Sequence, residues 1–99
     1  MSIKIANLGK PFSMRIEKDN KGLISTNGGV YILDEISVLI IKKLNDGRNL
    51  SEIIKLIIEE YDVKEEELSQ DIMKIILYLN KVKIISNEAM KKIIGNTLW

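Results

Sequence analysis

The stretch Asn27-Gly-Gly-Val-Tyr-Ile-Leu-Asp34 decides the fold, because a tight turn, a short strand and a helix start follow one another in it. Asn-Gly and Gly-Gly tolerate the positive φ angles that two-residue hairpin turns need. The residues that follow the turn are β-branched and aromatic, which favours a strand over residues 29–33. Asp34 can then accept hydrogen bonds from the first amides of a helix. The stretch therefore predicts a hairpin strand that leads directly into a helix.

Upstream of this stretch, the sequence predicts two more strands. Residues 12–17 alternate apolar and polar side chains, as a half-buried strand does. Asp19-Asn-Lys-Gly22 has the composition of a turn, and residues 23–26 form the next short strand. We expect a three-stranded antiparallel meander whose third strand lies at an edge.

Downstream, the spacing of apolar residues predicts three helices. Asp34 begins the first helix and Gly47 ends it, while Asn49 with Glu52 predicts the start of the second. The third is expected to begin in the acid-rich segment 62–67 and to end near residues 81–83. The predicted buried stripes are Ile36, Leu39, Ile40 and Leu44; Leu50, Ile53, Ile54, Ile57 and Tyr61; and Leu68, Ile72, Ile75, Ile76 and Leu79.

The end of the chain gives weaker signals. Ile84-Ile85 is interpreted as a short extended piece, and Met90, Ile93 and Ile94 as a short helix that must dock or fray. The predicted fold is therefore α+β and winged-helix-like, with a three-stranded antiparallel sheet followed by three helices. It forms one domain over residues 3–86, and residues 87–99 are an unassigned tail.

Composition excludes most catalytic chemistry. The 99 residues include 15 basic and 14 acidic side chains, no cysteine and no histidine. The usual general base, thiol nucleophile and metal ligands are therefore missing. The balanced charge argues against a dominant electrostatic grip on nucleic acid. We expect no catalytic residue, no metal site and no cofactor.

An acidic cluster is the main candidate for a metal site in this sequence. Paired carboxylates can hold a cation or transfer protons, but these residues flank a helix end and a helix start, where solvated acids are common. We interpret the cluster as structural. It comprises Glu59, Glu60, Asp62, Glu65, Glu66 and Glu67.

The beginning of the chain predicts its compartment. Met1-Ser-Ile-Lys-Ile-Ala6 has no basic start followed by a long apolar run. No apolar segment approaches the length of a membrane span. We therefore expect a cytoplasmic protein that binds no membrane.

Two features indicate a binding surface. The predicted strand over residues 30–33 has neither charge nor proline to protect its edge. Met73 and Leu77 add apolar surface beside the stripe of the third helix, as Val38 and Ile41 do on the first. These side chains either bury against the sheet and tail or form a groove for a partner. The edge is either covered by residues 3–5, paired in a dimer, or open to an added strand.

The order of these segments resembles the PqqD-like family. Leu33-Asp-Glu-Ile-Ser37 is similar to the family's first helix start, Arg48-Asn-Leu-Ser-Glu-Ile53 to its second, and Glu60-Tyr-Asp-Val63 to its acidic joint. Glu65 replaces the usual proline at the start of the third helix. Lys83-Ile-Ile85 replaces the closing Gly-Leu-Leu.

The resemblance covers residues 12–85 and implies a function. Such domains capture the leader segment of a ribosomal precursor peptide by β-strand addition and present it to a modifying enzyme, often a radical-SAM enzyme. The leader then lies along the third strand and against the third helix. The implied peptide-binding residues here are Val30, Tyr31, Ile32, Leu33, Ile72, Met73, Ile76, Leu77 and Asn80.

Two alternatives to this function stay open. One is a winged-helix DNA-binding protein, although a wing normally follows the recognition helix and here the strands come first. The other is a structural subunit that forms a homodimer through the edge strand.

Overall fold

The computed structural model describes residues 1–9, 11–26 and 29–95. Within them the strands form one antiparallel sheet in the order β1-β2-β3-β4. The α+β class is confirmed, while the winged-helix-like arrangement stays a prediction. The elements are β1 (Ser2–Ile5), β2 (Phe12–Ile16), β3 (Gly22–Thr26), β4 (Gly29–Leu33), α1 (Glu35–Asn45), α2 (Leu50–Glu60), α3 (Glu65–Lys81) and α4 (Asn87–Gly95).

The predicted number of strands was wrong, because β1 adds a fourth. It pairs antiparallel with β2, with Ile3 opposite Met14 and Ile5 opposite Phe12. Four residues with alternating burial are too short to identify as a strand without their partner. This pairing supplies Ile5, which is fully buried, to the core.

The predicted fold has three helices, and the tail adds a fourth, α4, where the sequence indicates a short helix. The Ser86 hydroxyl accepts a hydrogen bond from the amide of Ala89 at 3.0 Å, so it caps this helix. Met90 and Ile93 pack against the core, which docks the short helix. Ile84 and Ile85 form a bend rather than an extended piece, and both are buried. The domain limit at residue 86 stays a prediction.

The predicted turn and caps are confirmed where the structure describes them. Asn20 has a φ of 66° between β2 and β3, and Gly47 has a φ of 86° after α1. Asp34 accepts from the Ser37 amide at 2.7 Å, and Asn49 from the Glu52 amide at 2.9 Å. The turn at residues 27–28 lies outside the described residues, although its flanking strands pair in register.

The helices pack on one face of the sheet around a single core. Ile5, Met14, Ile24 and Leu33 supply the sheet side of that core. At Gly22 a Cβ atom would lie 2.6 Å from Val38, so glycine lets α1 approach β3 closely. Val38 and Ile41 are buried, so they belong to the core and do not form a groove for a partner. The apolar excess of α1 therefore forms no partner surface.

Candidate functional site

The two edges of the sheet differ in their protection. At β1, the side-chain oxygen of Asn45 accepts from the amides of Ala6 and Asn7 at 2.9 and 3.1 Å. Its nitrogen donates to the Lys4 carbonyl at 3.4 Å, and Lys4 itself places a charge on the strand. Charge and local cover are common ways to stop an edge from recruiting another strand.

The β4 edge has no comparable protection. Its sequence contains neither charge nor proline, and among the described residues no strand pairs with its outer side. The alternative in which residues 3–5 cover this edge is wrong, because β1 lies at the opposite side of the sheet. The edge predicted from sequence is therefore confirmed as an edge.

Residues along β4 alternate between the two faces of the sheet. Val30 and Ile32 are 60% and 72% exposed, on the face away from the helices. Tyr31 and Leu33 lie on the helical face, where Tyr31 pairs with the buried Ile24. A two-residue hairpin closes on a hydrogen-bonded pair, and bonding to the neighbouring strand then alternates. By this rule Val30 and Ile32 direct their backbone N–H and C=O groups outward.

A groove, here called the β4–α3 groove, runs between this edge and the third helix. It encloses about 470 Å³. Ile32 and Leu33 form its strand side, while Ile75 and Tyr78 form the helix side. An added strand at the edge would therefore place every second side chain between β4 and α3. The full lining is Lys21, Ile32, Leu33, Asp34, Ser37, Lys74, Ile75, Tyr78 and Leu79.

A second hollow, here called the α1–α3 pocket, adjoins the groove and encloses about 430 Å³. The two share Asp34, Ser37, Lys74 and Ile75. The α1–α3 pocket has an apolar floor and an acidic rim. Its further lining is Ile36, Ile40, Val63, Glu67, Leu68 and Asp71.

Two tyrosines link the strand to the helix. The rings of Tyr31 and Tyr78 meet edge to face, with centroids 5.5 Å apart. Partial burial raises the pKa of Tyr78 above its usual value, and Tyr31 raises it further through charge and a hydrogen bond. Tyr78 is still 48% exposed. It therefore remains accessible beside β4 and stays protonated at neutral pH.

The predicted site residues on α3 have three different environments. Ile72 and Ile76 are fully buried in the core, so no part of them is on the surface of this structure. Leu77 is 50% exposed, and Met73 is partly buried. Asn80 donates to the Ile85 carbonyl at 3.1 Å and to the Asn87 side chain at 2.8 Å, which ties it to the start of α4. A peptide-binding role for any of them stays a prediction.

The flank of α3 that faces β4 carries residues that are not among the predicted peptide-binding residues. One of them, Ile75, was predicted to belong to the buried stripe but is only partly buried. At 100° per residue, Lys74, Ile75 and Tyr78 lie on one side of the buried stripe. Met73 and Asn80 lie on the opposite side, and Leu77 lies on the outer face. The spacing of Asp71, Ile75 and Tyr78 was the available signal, because residues three and four apart share a helix face.

The acidic cluster follows the helix termini. Glu65, Glu66 and Glu67 lie in the first turn of α3, where their negative charge stabilises the helix by interacting with the positive end of its dipole. In the part of the chain that the structure describes, no three acidic side chains converge to hold a metal ion. None of the helices in that part is both long enough and apolar enough to cross a membrane.

The model of one family, described as "PqqD: Coenzyme PQQ synthesis protein D (PqqD)", matches residues 15–85. The matched range runs from β2 through the end of α3 and so contains the groove. No curated protein and no solved structure was found to match the chain.

Proposed function

Because the chain belongs to the PqqD family, we propose that it captures the leader segment of a ribosomal precursor peptide. It acts without catalysis and presents the peptide to a modifying enzyme. The observation that carries the proposal is the unprotected β4 edge beside a groove of about 470 Å³. Peptide-recognition domains often extend an exposed sheet edge in this way.

The leader adds as an antiparallel strand to β4. The outward backbone groups of Val30 and Ile32 supply generic affinity, since every peptide has the same main chain. Alternate leader side chains enter the β4–α3 groove and meet Ile75 and Tyr78. This pocket supplies the choice of partner, because only some side chains fit it.

The modifying enzyme supplies the chemistry. The chain has no histidine or cysteine to act as base or nucleophile. A strand held at β4 leaves the rest of the precursor free to reach a second protein. Radical-SAM enzymes are the first class to test, as partners of the chain and its precursor.

The test compares proline at the two edges of the sheet. Ile32→Pro removes the outward N–H of β4 and should abolish binding of the leader encoded beside the gene. Lys4→Pro is the matched control, because the Lys4 carbonyl also points away from its neighbouring strand, toward Asn45. Isothermal titration calorimetry measures affinity, and circular dichroism checks that both variants are folded.

Amide chemical shifts locate the bound peptide. We expect the largest changes in β4 and on the Ile75 and Tyr78 flank of α3, with slowed exchange at Val30 and Ile32. If Ile32→Pro binds like the parent while Lys4→Pro does not, the leader occupies β1 and the proposal fails. Salt-dependent binding of duplex DNA, without leader binding, would instead support the DNA-binding alternative.

A further inference from the structure

The two ends of the proposed binding surface carry opposite charge. Lys21 and Lys74 line the β4–α3 groove. Glu67 and Asp71 line only the α1–α3 pocket, whereas Asp34 and Lys74 line both hollows. The charged residues of the β4–α3 groove are therefore net basic, and those of the α1–α3 pocket are net acidic.

The acids of the pocket rim are available to a ligand. Glu67 and Asp71 have no hydrogen-bond or ion-pair partner among the described residues, whose ion pairs join Arg15 to Glu17, Lys21 to Asp19 and Arg48 to Glu52. The Asp34 carboxylate already accepts from the Ser37 amide. In the described part of the chain, the rim therefore presents two exposed carboxylates without partners above an apolar floor, and Lys74 is the one basic residue that lines the same pocket.

The direction of the added strand decides which part of the leader meets this pocket. β4 runs from Gly29 to Leu33, and Asp34 continues it toward α1. An antiparallel leader begins at the Leu33 end and leaves at the Gly29 end. Its N-terminal part therefore approaches the α1–α3 pocket.

We propose that the recognised leader carries a lysine or arginine just N-terminal to its added strand, next to an apolar residue that enters the α1–α3 pocket. This inference rests on the proposed function and specifies its ligand. The aliphatic stem of the basic residue lies over Ile36 and Ile75, while its charged end reaches Glu67 and Asp71. An acidic residue at the same position is repelled.

The two carboxylates should affect the choice between basic and acidic leaders more than the overall affinity for a leader. Exposed ion pairs change binding by about twofold to fivefold each. Two carboxylates that act on one cation should give a preference of roughly tenfold for a basic over an acidic residue. That ratio is large enough to bias a selection from random peptides.

The experiment selects displayed random dodecapeptides on the full-length protein. The parent should enrich sequences with lysine or arginine N-terminal to an alternating apolar segment. Glu67→Lys combined with Asp71→Lys should remove that preference and enrich aspartate or glutamate there. Glu59→Lys combined with Glu66→Lys is the control: it makes the same charge change at exposed positions that do not line either hollow.

Binding of the selected peptides to Ile32→Pro separates the two proposals. Peptides that need an intact β4 but show no charge preference overturn this inference and leave the proposed function standing. Peptides that bind Ile32→Pro as well as the parent overturn the proposed function. Failure to enrich any peptide also counts against strand capture. An identical preference in the two double variants shows that overall charge, rather than the pocket rim, selects the ligand.

Discussion

Tyr78 is the residue on which the position of the groove depends. It lines the groove, contacts the ring of Tyr31 on β4, and is 48% exposed. Its neighbour Leu77 is 50% exposed but lies on the outer face of α3. The two side chains are therefore about equally exposed, but only Tyr78 lies in the groove.

Replacing each of these neighbours with aspartate distinguishes the groove flank of α3 from its outer face. Tyr78→Asp should weaken leader binding by about tenfold to a hundredfold, because a charge then meets apolar leader side chains in the groove. Leu77→Asp should change affinity by less than about twofold, since surface substitutions away from a site have small effects. Calorimetric titration of the folded variants measures both. The reverse ranking would return the site to Met73, Leu77 and Asn80.

The choice between these flanks was not available from the sequence. Period analysis correctly identified four buried residues of α3 but wrongly added Ile75, which is only partly buried. The four are Leu68, Ile72, Ile76 and Leu79. Both flanks of that stripe carry apolar side chains, Met73 on one and Ile75 on the other. Which flank faces β4 depends on the rotation of α3 against the other helices and the sheet, which tertiary packing sets. The strand side of the site, by contrast, followed from local turn and edge signals.

At the scale of elements, the end of α3 shows how this chain departs from its family. Lys83 has a φ of 65°, in the left-handed region that glycine adopts without strain. The Ile84 amide donates to the Leu79 carbonyl at 2.9 Å, which closes the helix end. The resemblance gave glycine as the usual residue at this position. The backbone at residue 83 therefore keeps the left-handed conformation typical of glycine, although the residue is a lysine.

Lys83→Gly should therefore stabilise the protein. Removing the Cβ strain should raise the free energy of unfolding by about 0.5–1 kcal/mol, after allowance for the greater entropy of glycine in the unfolded chain. Lys81→Gly removes the same side chain within the last turn of α3 and should instead lower it, by up to about 1 kcal/mol. Urea unfolding measures both. Equal destabilisation by the two substitutions would show that Lys83 is not strained.

Elements defined by local chemistry were predictable, and those defined by docking were not. Asp34, Asn49 and Gly47 mark helix termini through their own side chains or backbone freedom, and each was identified from sequence. β1 depends on its pairing with β2, and α4 on contacts of Met90 and Ile93 with the core. Short elements of this kind are marginal alone, so their sequences carry little signal.

At the scale of the whole molecule, all described helices cover one face of the sheet and leave the other open. The Cα radius of gyration is 12.8 Å, close to the roughly 13 Å expected for a compact domain of this length. The open face adjoins the β4 edge, where Val30 and Ile32 are exposed. A second copy of the chain could pair with the same β4 edge that the leader is proposed to occupy. The homodimer alternative can therefore be tested by competition with the leader.

Leader binding and self-association should exclude each other. Unprotected edges recruit other strands, so the free chain should show a rise in mass with concentration above its monomer mass of 11.3 kDa. A saturating leader occupies the outward backbone groups of β4 and should return the mass to one chain plus one peptide. Ile32→Pro should stay monomeric at every concentration, because the edge can no longer pair fully. Sedimentation equilibrium measures the mass of all three samples.

Two other outcomes would contradict this prediction. A complex with two chains per leader would place the dimer contact away from β4, whereas a leader that leaves a β4-mediated dimer intact would show that β4 is not its binding site.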